Sequence, residues 1–440
     1  MKRKTGWLTG VFALVAFAQT LGYFAYLRDD PGNYNGAGAS GDQVAYIGLA
    51  EQILHGTWAG AVHYMPGLPA VIAVGQLITG DPRLGVALIQ ALLYAVLVMF
   101  AARLAARAFG EGASAWAAAG VGLNPALGYY AAQALTEFLT SAALLALAAA
   151  IFAWSRRPRL STVVVAGLLI AAAAYLRAEY LGLALLFALI VIWVGVRQQA
   201  PGRAMTHAAV LVAVTALAMA PWVIRYAVAT GTPGLYNESP FSNLVLMGTW
   251  FRVFDEQTFA QLQQIETAQG SRGEAIARAQ TVGPRPELSQ RYMEQARGPY
   301  ERPLAETLGL AAENIRLNLR QYLVNHVVLA PVLIWAGHTP VRQADTPRLP
   351  ASARYLVWAA ELALLLLAVW QAVRCVRAPE TSTLSTSFLG VVLFLTVVHV
   401  VIAVDERFTT PALPLVGMFA GACLAQLGRS RGRSAVRYAA

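Results

Sequence analysis

The residues with chemical potential in this chain are few, and they stand at the edges of apolar runs. Asp42 opens the segment Asp42-Gln43-Val44-Ala45-Tyr46, where Val44, Ile47, Leu49, Ile53 and Leu54 give one apolar face. A helix on that pattern lies at a water–lipid boundary and holds Asp42 at its N-terminus. There the carboxylate can cap the helix and complement its dipole, worth about 1 kcal/mol. It can also act as a general base toward a hydroxyl. Composition alone favours the capping role. His63-Tyr64-Met65-Pro66-Gly67-Leu68-Pro69 reads as a turn with Tyr64 placed for a substrate contact. Glu137 follows Thr136 between two apolar runs, where a helix-start carboxylate is the plain alternative to a catalytic one.

Arginine supplies the complementary charge. In Tyr175-Leu176-Arg177-Ala178-Glu179-Tyr180, Arg177 either pairs locally with Glu179 or binds phosphate oxygens with its planar fork. Pro221-Trp222-Val223-Ile224-Arg225-Tyr226 sets Arg225 close to apolar surroundings, where it snorkels or holds an anion. Asn243 sits in the polar stretch after Asn237. Asp405-Glu406-Arg407-Phe408 separates two apolar runs, and Glu406 with Arg407 could brace a site. Glu361 lies inside another apolar run; an intramembrane carboxylate is a functional candidate by default, and an internally satisfied structural Glu is equally compatible. No Walker sequence, GxGxxG or GxSxG element is present, which argues against an ATP-driven pump and a common serine hydrolase. The two cysteines, Cys375 and Cys423, form no CxxC pair, and the six histidines show no ligand spacing, so a structural zinc site is not expected and no cofactor is called for.

The elements that must position these residues follow from composition. The 440 residues are 57% apolar and 13% charged, with a mean hydropathy of +0.52. Soluble domains carry about 25% charge, so an ordinary soluble enzyme is excluded. The net charge of +10 is carried almost wholly by Arg, and no aromatic-interleaved basic stripe points to nucleic acid. Nearly charge-free runs occupy 7–27, 84–102, 113–135, 138–155, 160–176, 180–196, 208–224, 355–373, 383–404 and 408–427, which predicts about ten spanning helices. The shorter runs 66–80 and 326–337 are expected to lie at the interface or dip into it. Lys2, Arg3, Lys4, Arg103, Arg107, Arg156, Arg157, Arg159, Arg197, Arg203, Arg374, Arg377, Arg429, Arg431, Arg433 and Arg437 fall on alternate connections. The positive-inside rule then places both termini in the cytoplasm. The first run, ending near Ala16-Phe17-Ala18 or at Leu27, reads as an uncleaved helix rather than a signal peptide.

The chemical residues thus gather on the outer side. The expected organisation is an N-terminal membrane module over 1–228 with an outer loop over 28–83. An extracytoplasmic region over 229–351 and C-terminal membrane helices over 352–440 follow. Within 251–325, Gly270, Gly273, Gly283, Pro284 and Pro286 should divide a polar sequence into short helices.

Five stretches in this order resemble the polyprenyl-phosphate-sugar-dependent glycosyltransferases of the GT-C fold. They are similar above all to the protein mannosyltransferase and aminoarabinose transferase superfamily. The stretches are Asp42-x-x-x-Tyr46 with Ala50, Leu54 and Gly56; Tyr64-x-Pro66-Gly67-x-Pro69; Asn124-Pro125 with Thr136-Glu137; Pro221-Trp222-x-x-Arg225-Tyr226 with Asn243-Leu244; and Glu406-Arg407-Phe408-x-x-Pro411-x-x-Pro414. The resemblance implies an all-α polytopic GT-C-like bundle with juxtamembrane helices and one large outer helical loop. It implies inverting transfer from a lipid-phosphate-linked sugar to a glycan, lipid or protein hydroxyl. Asp42 and Glu137 would then be the catalytic carboxylates, with Asp29 and Asp30 as alternatives to Asp42. Arg177 and Arg225 would meet the lipid phosphate, and Tyr46, His63, Tyr64, Asn243, Glu406 and Arg407 would line the substrate. Gln43 stands where the family often has Glu, and Met65 where a basic residue often stands, so a divalent metal is not supported. An integral protein of the inner membrane of a bacterium is implied; Arg in place of Lys and abundant Ala agree with a GC-rich bacterial genome. A lipid-linked-sugar flippase and a non-catalytic subunit of a glycan assembly complex are the alternative classes.

Overall fold

Local punctuation explains where the helices of the computed structural model begin and end. It describes residues 2–28, 41–57, 64–235, 244–299, 302–336, 351–402 and 406–438. The chain opens with α1 (Lys2–Arg28), α2 (Asp42–Leu54), α3 (Gly67–Thr79) and α4 (Pro82–Phe109). Asp81 caps α4 by accepting from the backbone N–H groups of Arg83 at 2.8 Å and Leu84 at 3.3 Å, with Pro82 at the first helical position. Then come α5 (Gly112–Gly122), α6 (Pro125–Ala131), α7 (Glu137–Arg156), α8 (Leu160–Leu176), α9 (Gly182–Arg197) and α10 (Pro201–Thr230).

The expected span over 113–135 is not one helix. Asn124 ends α5 and caps α6, its side chain accepting from Leu127 N–H at 3.1 Å, and Pro125 cannot continue the α5 hydrogen-bond ladder. The Val121 carbonyl, which Pro125 cannot meet, is satisfied inside the bundle. The buried Tyr94 hydroxyl lies 2.6 Å from Val121 O and 3.1 Å from Asn124 O.

Next come α11 (Glu256–Thr267), α12 (Arg272–Ala279), α13 (Pro286–Ala296), α14 (Leu304–Leu317), α15 (Leu319–Leu323), a π-turn over Val324–Leu329 and α16 (Ala330–Ala336). The caps here are polar and local: Asp255 on α11, and a Ser271–Glu274 capping box on α12. Short helices are present between Gly270, Gly283 and Pro286, whereas Gly273 lies inside α12 and divides nothing. The chain closes with α17 (Ala351–Cys375), α18 (Ser382–Ile402), a 3-10 turn over Glu406–Ala412 and α19 (Leu413–Tyr438). No strand occurs among the described residues.

Among the described residues, eight helices are long and apolar enough to cross a membrane: Gly6–Arg28, Pro82–Phe109, Glu137–Arg156, Ala178–Arg197, Pro201–Thr230, Trp358–Cys375, Ser382–Val400 and Arg407–Gly428. The chain is therefore a multi-pass membrane protein. The run 160–176 forms a helix of 17 residues, roughly 25 Å long and short of a 30 Å hydrocarbon core. Gly67–Thr79 is likewise apolar and short.

Two compact units form. One comprises 1–236, 335–395 and 406–440; the other comprises 237–334 and 396–405. In the first, α5 and α19 approach backbone to backbone: a Cβ on Gly120 would lie 2.5 Å from Gly417 O. That contact fixes the helix which follows the turn Glu406–Ala412. The second unit has its own core of Trp250, Leu262, Ile265, Tyr292 and Met293. Beside it lies a buried polar network in which Trp250 Nε1 donates to Gln295 Oε1 at 2.8 Å and Asn314 Nδ2 donates to Thr249 Oγ1 at 2.9 Å.

Candidate active site

Four segments of the first unit meet at one end of its bundle, and each delivers a charge there. Asp42 is the first residue of α2. Gly41, which precedes the helix with φ 151°, takes the cap position and leaves the Asp42 carboxylate out of capping. Asp42 Oδ2 instead lies 3.1 Å from an Arg407 guanidinium nitrogen, and Oδ1 accepts from the Tyr64 hydroxyl at 3.4 Å. Arg407 is carried by the turn Glu406–Ala412. The Ser141 hydroxyl of α7 sits 2.9 Å from Glu137 O and 3.2 Å from Thr410 O, so the turn and the start of α7 are held together.

Glu137, at the start of α7, is only 2% exposed. Its Oε1 lies 3.4 Å from Arg177 and 3.8 Å from Arg407. Arg177 ends α8 in extended backbone, so its side chain leaves the helix axis; its Nε lies 2.6 Å from Glu179 Oε1. Both guanidiniums rest on Phe408, at 4.5 Å for Arg177 and 5.1 Å for Arg407. The charges therefore alternate as Asp42, Arg407, Glu137, Arg177, Glu179. Burial would lower the Arg177 pKa, but Glu179 and Glu137 outweigh it and raise it, so Arg177 is a permanent cation.

Aromatic residues wall this chain. Tyr46, one turn beyond Asp42, packs its ring against Tyr64 with centroids 4.9 Å apart. Burial pushes the Tyr46 phenol well above its usual 10.0, so it is a neutral group. The Pro66-Gly67 element fits tightly beneath. A Cβ on Gly67 would fall 2.6 Å from Tyr175 O and 3.1 Å from Leu176 N, both backbone atoms leading into Arg177. Gly67→Ala is thus expected to destabilise the protein by about 1–3 kcal/mol through overpacking. It should also lower any activity of the site more than tenfold, since Arg177 must shift. A thermal melt in detergent with an activity assay checks this; an unchanged melt would show that the backbone yields freely.

Of the residues expected at a site, Asp42, Tyr46, Tyr64, Glu137, Arg177 and Arg407 come together. Arg225 lies one turn beyond Trp222, over whose ring its guanidinium sits at 5.9 Å. Trp222 belongs to the neighbouring cluster of Met65, Ala171, Ala174 and Met219, with its indole N–H donating to Leu235 O at 2.6 Å. Glu406 contributes backbone to the 3-10 turn, and its side chain is outside the described residues. His63, Asn243, Asp29 and Asp30 also lie outside the described residues. Glu361 is buried in α17, and neither carboxylate oxygen has a hydrogen-bond partner among the described residues. Three glutamines that the motifs do not include, Gln43, Gln90 and Gln133, join the site to the bundle. Among the described residues no three His, Cys, Asp or Glu side chains come together as a metal set, and each carboxylate of the cluster faces a guanidinium.

No protein-family model matches the sequence, and no curated protein matches it significantly. Solved structures do. An archaeal oligosaccharyltransferase, AglB from Archaeoglobus fulgidus in complex with an inhibitory peptide and a dolichol-phosphate, superposes with a TM-score of 0.54 at 15% identity, covering 100% of this chain and 52% of that one. The Archaeoglobus fulgidus oligosaccharyltransferase in the apo form gives 0.53 at 14% identity, over 98% and 52% of the two chains. ArnT from Cupriavidus metallidurans bound to undecaprenyl phosphate gives 0.39 at 17% identity over 94% and 78% of the two chains. The chain spans about half the length of the oligosaccharyltransferase structures it matches. What the likeness shows is the fold: an all-α polytopic bundle of the GT-C kind, the architecture shared with an oligosaccharyltransferase.

Proposed function

We propose that this chain is an integral-membrane glycosyltransferase that moves a sugar from a polyprenyl-phosphate-linked donor to an acceptor hydroxyl, with inversion, on the extracytoplasmic face of a bacterial inner membrane. The observation that carries the reading is the state of Asp42. It is a side chain 36% exposed at the end of a GT-C bundle, free of its own helix cap and oriented by Arg407 and Tyr64. Such a carboxylate is accessible to a hydroxyl and held still when one arrives.

In the transfer, Asp42 accepts the proton of the acceptor hydroxyl as that oxygen attacks the anomeric carbon. The bond from that carbon to the phosphate oxygen breaks, and the lipid phosphate leaves with the electron pair. Charge developing on the phosphate is best met by a fixed cation. Arg177 is already shared by Glu137 and Glu179, which makes it a brace; Arg225 is the cation assigned here to the phosphate. Glu137, almost wholly buried, acts on the two arginines and not on substrate. The donor set does not fit a divalent metal, since the carboxylates of the cluster are each paired with a guanidinium, and no step is derived through one. Tyr64, half-buried and backed by the buried ring of Tyr46, offers a ring face to a sugar.

One observation favours a second reading. Glu361, buried in a spanning helix, is the kind of group a transporter of lipid-linked sugars uses. Purified protein incubated with a panel of radiolabelled polyprenyl-phosphate sugars separates the two. Release of lipid phosphate from one donor is the expected result; binding without release from any donor, with glycan, lipid and peptide acceptors supplied, would overturn the transferase reading.

A further inference from the structure

The residue after Asp42 uses both ends of its side chain to attach α2 to the bundle. Gln43 Oε1 accepts from the backbone N–H of Ala134 at 3.2 Å, and Gln43 Nε2 donates to Gln133 Oε1 at 3.0 Å. The Ala134 N–H can only donate, so it fixes which end of the Gln43 amide is the oxygen. Gln133 is anchored in turn. Its backbone carbonyl accepts from Gln90 Nε2 at 2.7 Å, and its own side-chain amine reaches Tyr129 O at 3.5 Å. Gln90 is 0% exposed within the spanning helix α4, and Gln133 is 3% exposed. An amide in such a place is costly unless its hydrogen bonds are made. Gln90 spends its donor on holding the turn that Gln43 grips, while its own Oε1 has no hydrogen-bond partner among the described residues.

That turn leads, three residues on, to Glu137. The Gln43 amide therefore links the residue beside Asp42 to the segment that starts α7, while Arg407 spans the same gap from the other side through its contacts with Asp42 and Glu137. Two independent links between the same two segments set their separation. We propose that Gln43, clamped by Ala134 and Gln133, is the positioning residue of the site: it fixes the start of α2 so that the Asp42 carboxylate stays on Arg407 and Tyr64. An amide is required because the position needs an acceptor for Ala134 and a donor for Gln133 at once. A Glu would keep the first bond but oppose Gln133 Oε1 with a second acceptor. A Leu would fill the volume and leave both partners unmet.

The inference shares the assignment of Asp42 with the proposed function, and its first test does not depend on activity. The full-length protein in detergent is labelled at its carboxylates with a carbodiimide and glycine ethyl ester, and modification is mapped by peptide. In Gln43→Leu the labelling of Asp42 is expected to rise several-fold over wild type, with Glu111 unchanged as the reference. Equal Asp42 labelling in a folded Gln43→Leu protein would overturn the proposal. Should Gln43→Leu not fold, the near-isosteric Gln43→Glu, which retains the Ala134 bond, is expected to give a smaller rise at Asp42, and none would overturn it. For whichever donor the wild type turns over, kcat of Gln43→Leu should fall roughly 10²-fold with the donor KM unchanged, the pattern of a misplaced base. A rise in KM with kcat unchanged would instead overturn the positioning role. Failure of every donor leaves the labelling result standing and counts against the proposed function alone.

Discussion

Asp42→Asn is expected to lower sugar transfer by about 10²–10⁴-fold, the range that a positioned general base contributes. The substitution keeps the shape and removes the charge. Asn can still accept from Tyr64 through its oxygen, but its amine then faces the Arg407 guanidinium, so a donor meets a donor. The fall should appear in kcat, because the donor is not held by this carboxylate in the arrangement described above. Stability should change little: the Asp42 and Arg407 side chains are 36% and 29% exposed, and ion pairs this open contribute about 0–1 kcal/mol. Asp42→Glu is the informative companion. It retains the charge but moves the carboxylate by one methylene, so partial activity is expected, below wild type and above Asn. Transfer unchanged in Asp42→Asn would remove Asp42 as the base and turn attention to Asp29 or Asp30.

Much of this arrangement is legible in the sequence, and the remainder is hidden for identifiable reasons. Spanning helices announce themselves because charge is absent from them, and the break at Asn124-Pro125 is visible as punctuation. What satisfies the carbonyl left over there is Tyr94, 27 residues earlier, which adjacency does not show. The local pair Arg177 with Glu179 can be read from adjacency. The pair Arg407 with Asp42 spans 365 positions and needs the topology to exist before it can be seen. Sequence also leaves Asp42 between capping and catalysis. The choice turns on Gly41, whose positive φ takes the cap position and releases the carboxylate. Gln90 carries a signal of its own: a lone amide within a charge-free span requires a buried partner, which here is the Gln133 backbone, and Gln133 in turn holds Gln43.

Glu137→Gln should separate bracing from chemistry, because its loss is expected to damage the fold as well as the reaction. The carboxylate is 2% exposed and neutralises parts of two guanidiniums. Breaking a buried ion pair from one side typically costs about 3–5 kcal/mol; the low end, about 3 kcal/mol, is expected here because Arg177 and Arg407 keep 22% and 29% exposure and some hydration. With Glu137 neutral, the two guanidiniums that share the Phe408 ring repel each other across it. Arg177 retains Glu179 and Arg407 retains Asp42, so each is drawn outward toward its remaining partner. Asp42 then loses its register with the bundle, and transfer falls together with stability. A double-mutant cycle with Arg177→Gln, read by denaturant unfolding in detergent, measures the link. Removing both charges should be milder than the two single costs combined, with a coupling of about 0.5–3 kcal/mol. Strict additivity would show that Glu137 and Arg177 do not sense each other and that Arg177 is no brace. Full stability with abolished transfer would show the reverse: that Glu137 itself meets the substrate.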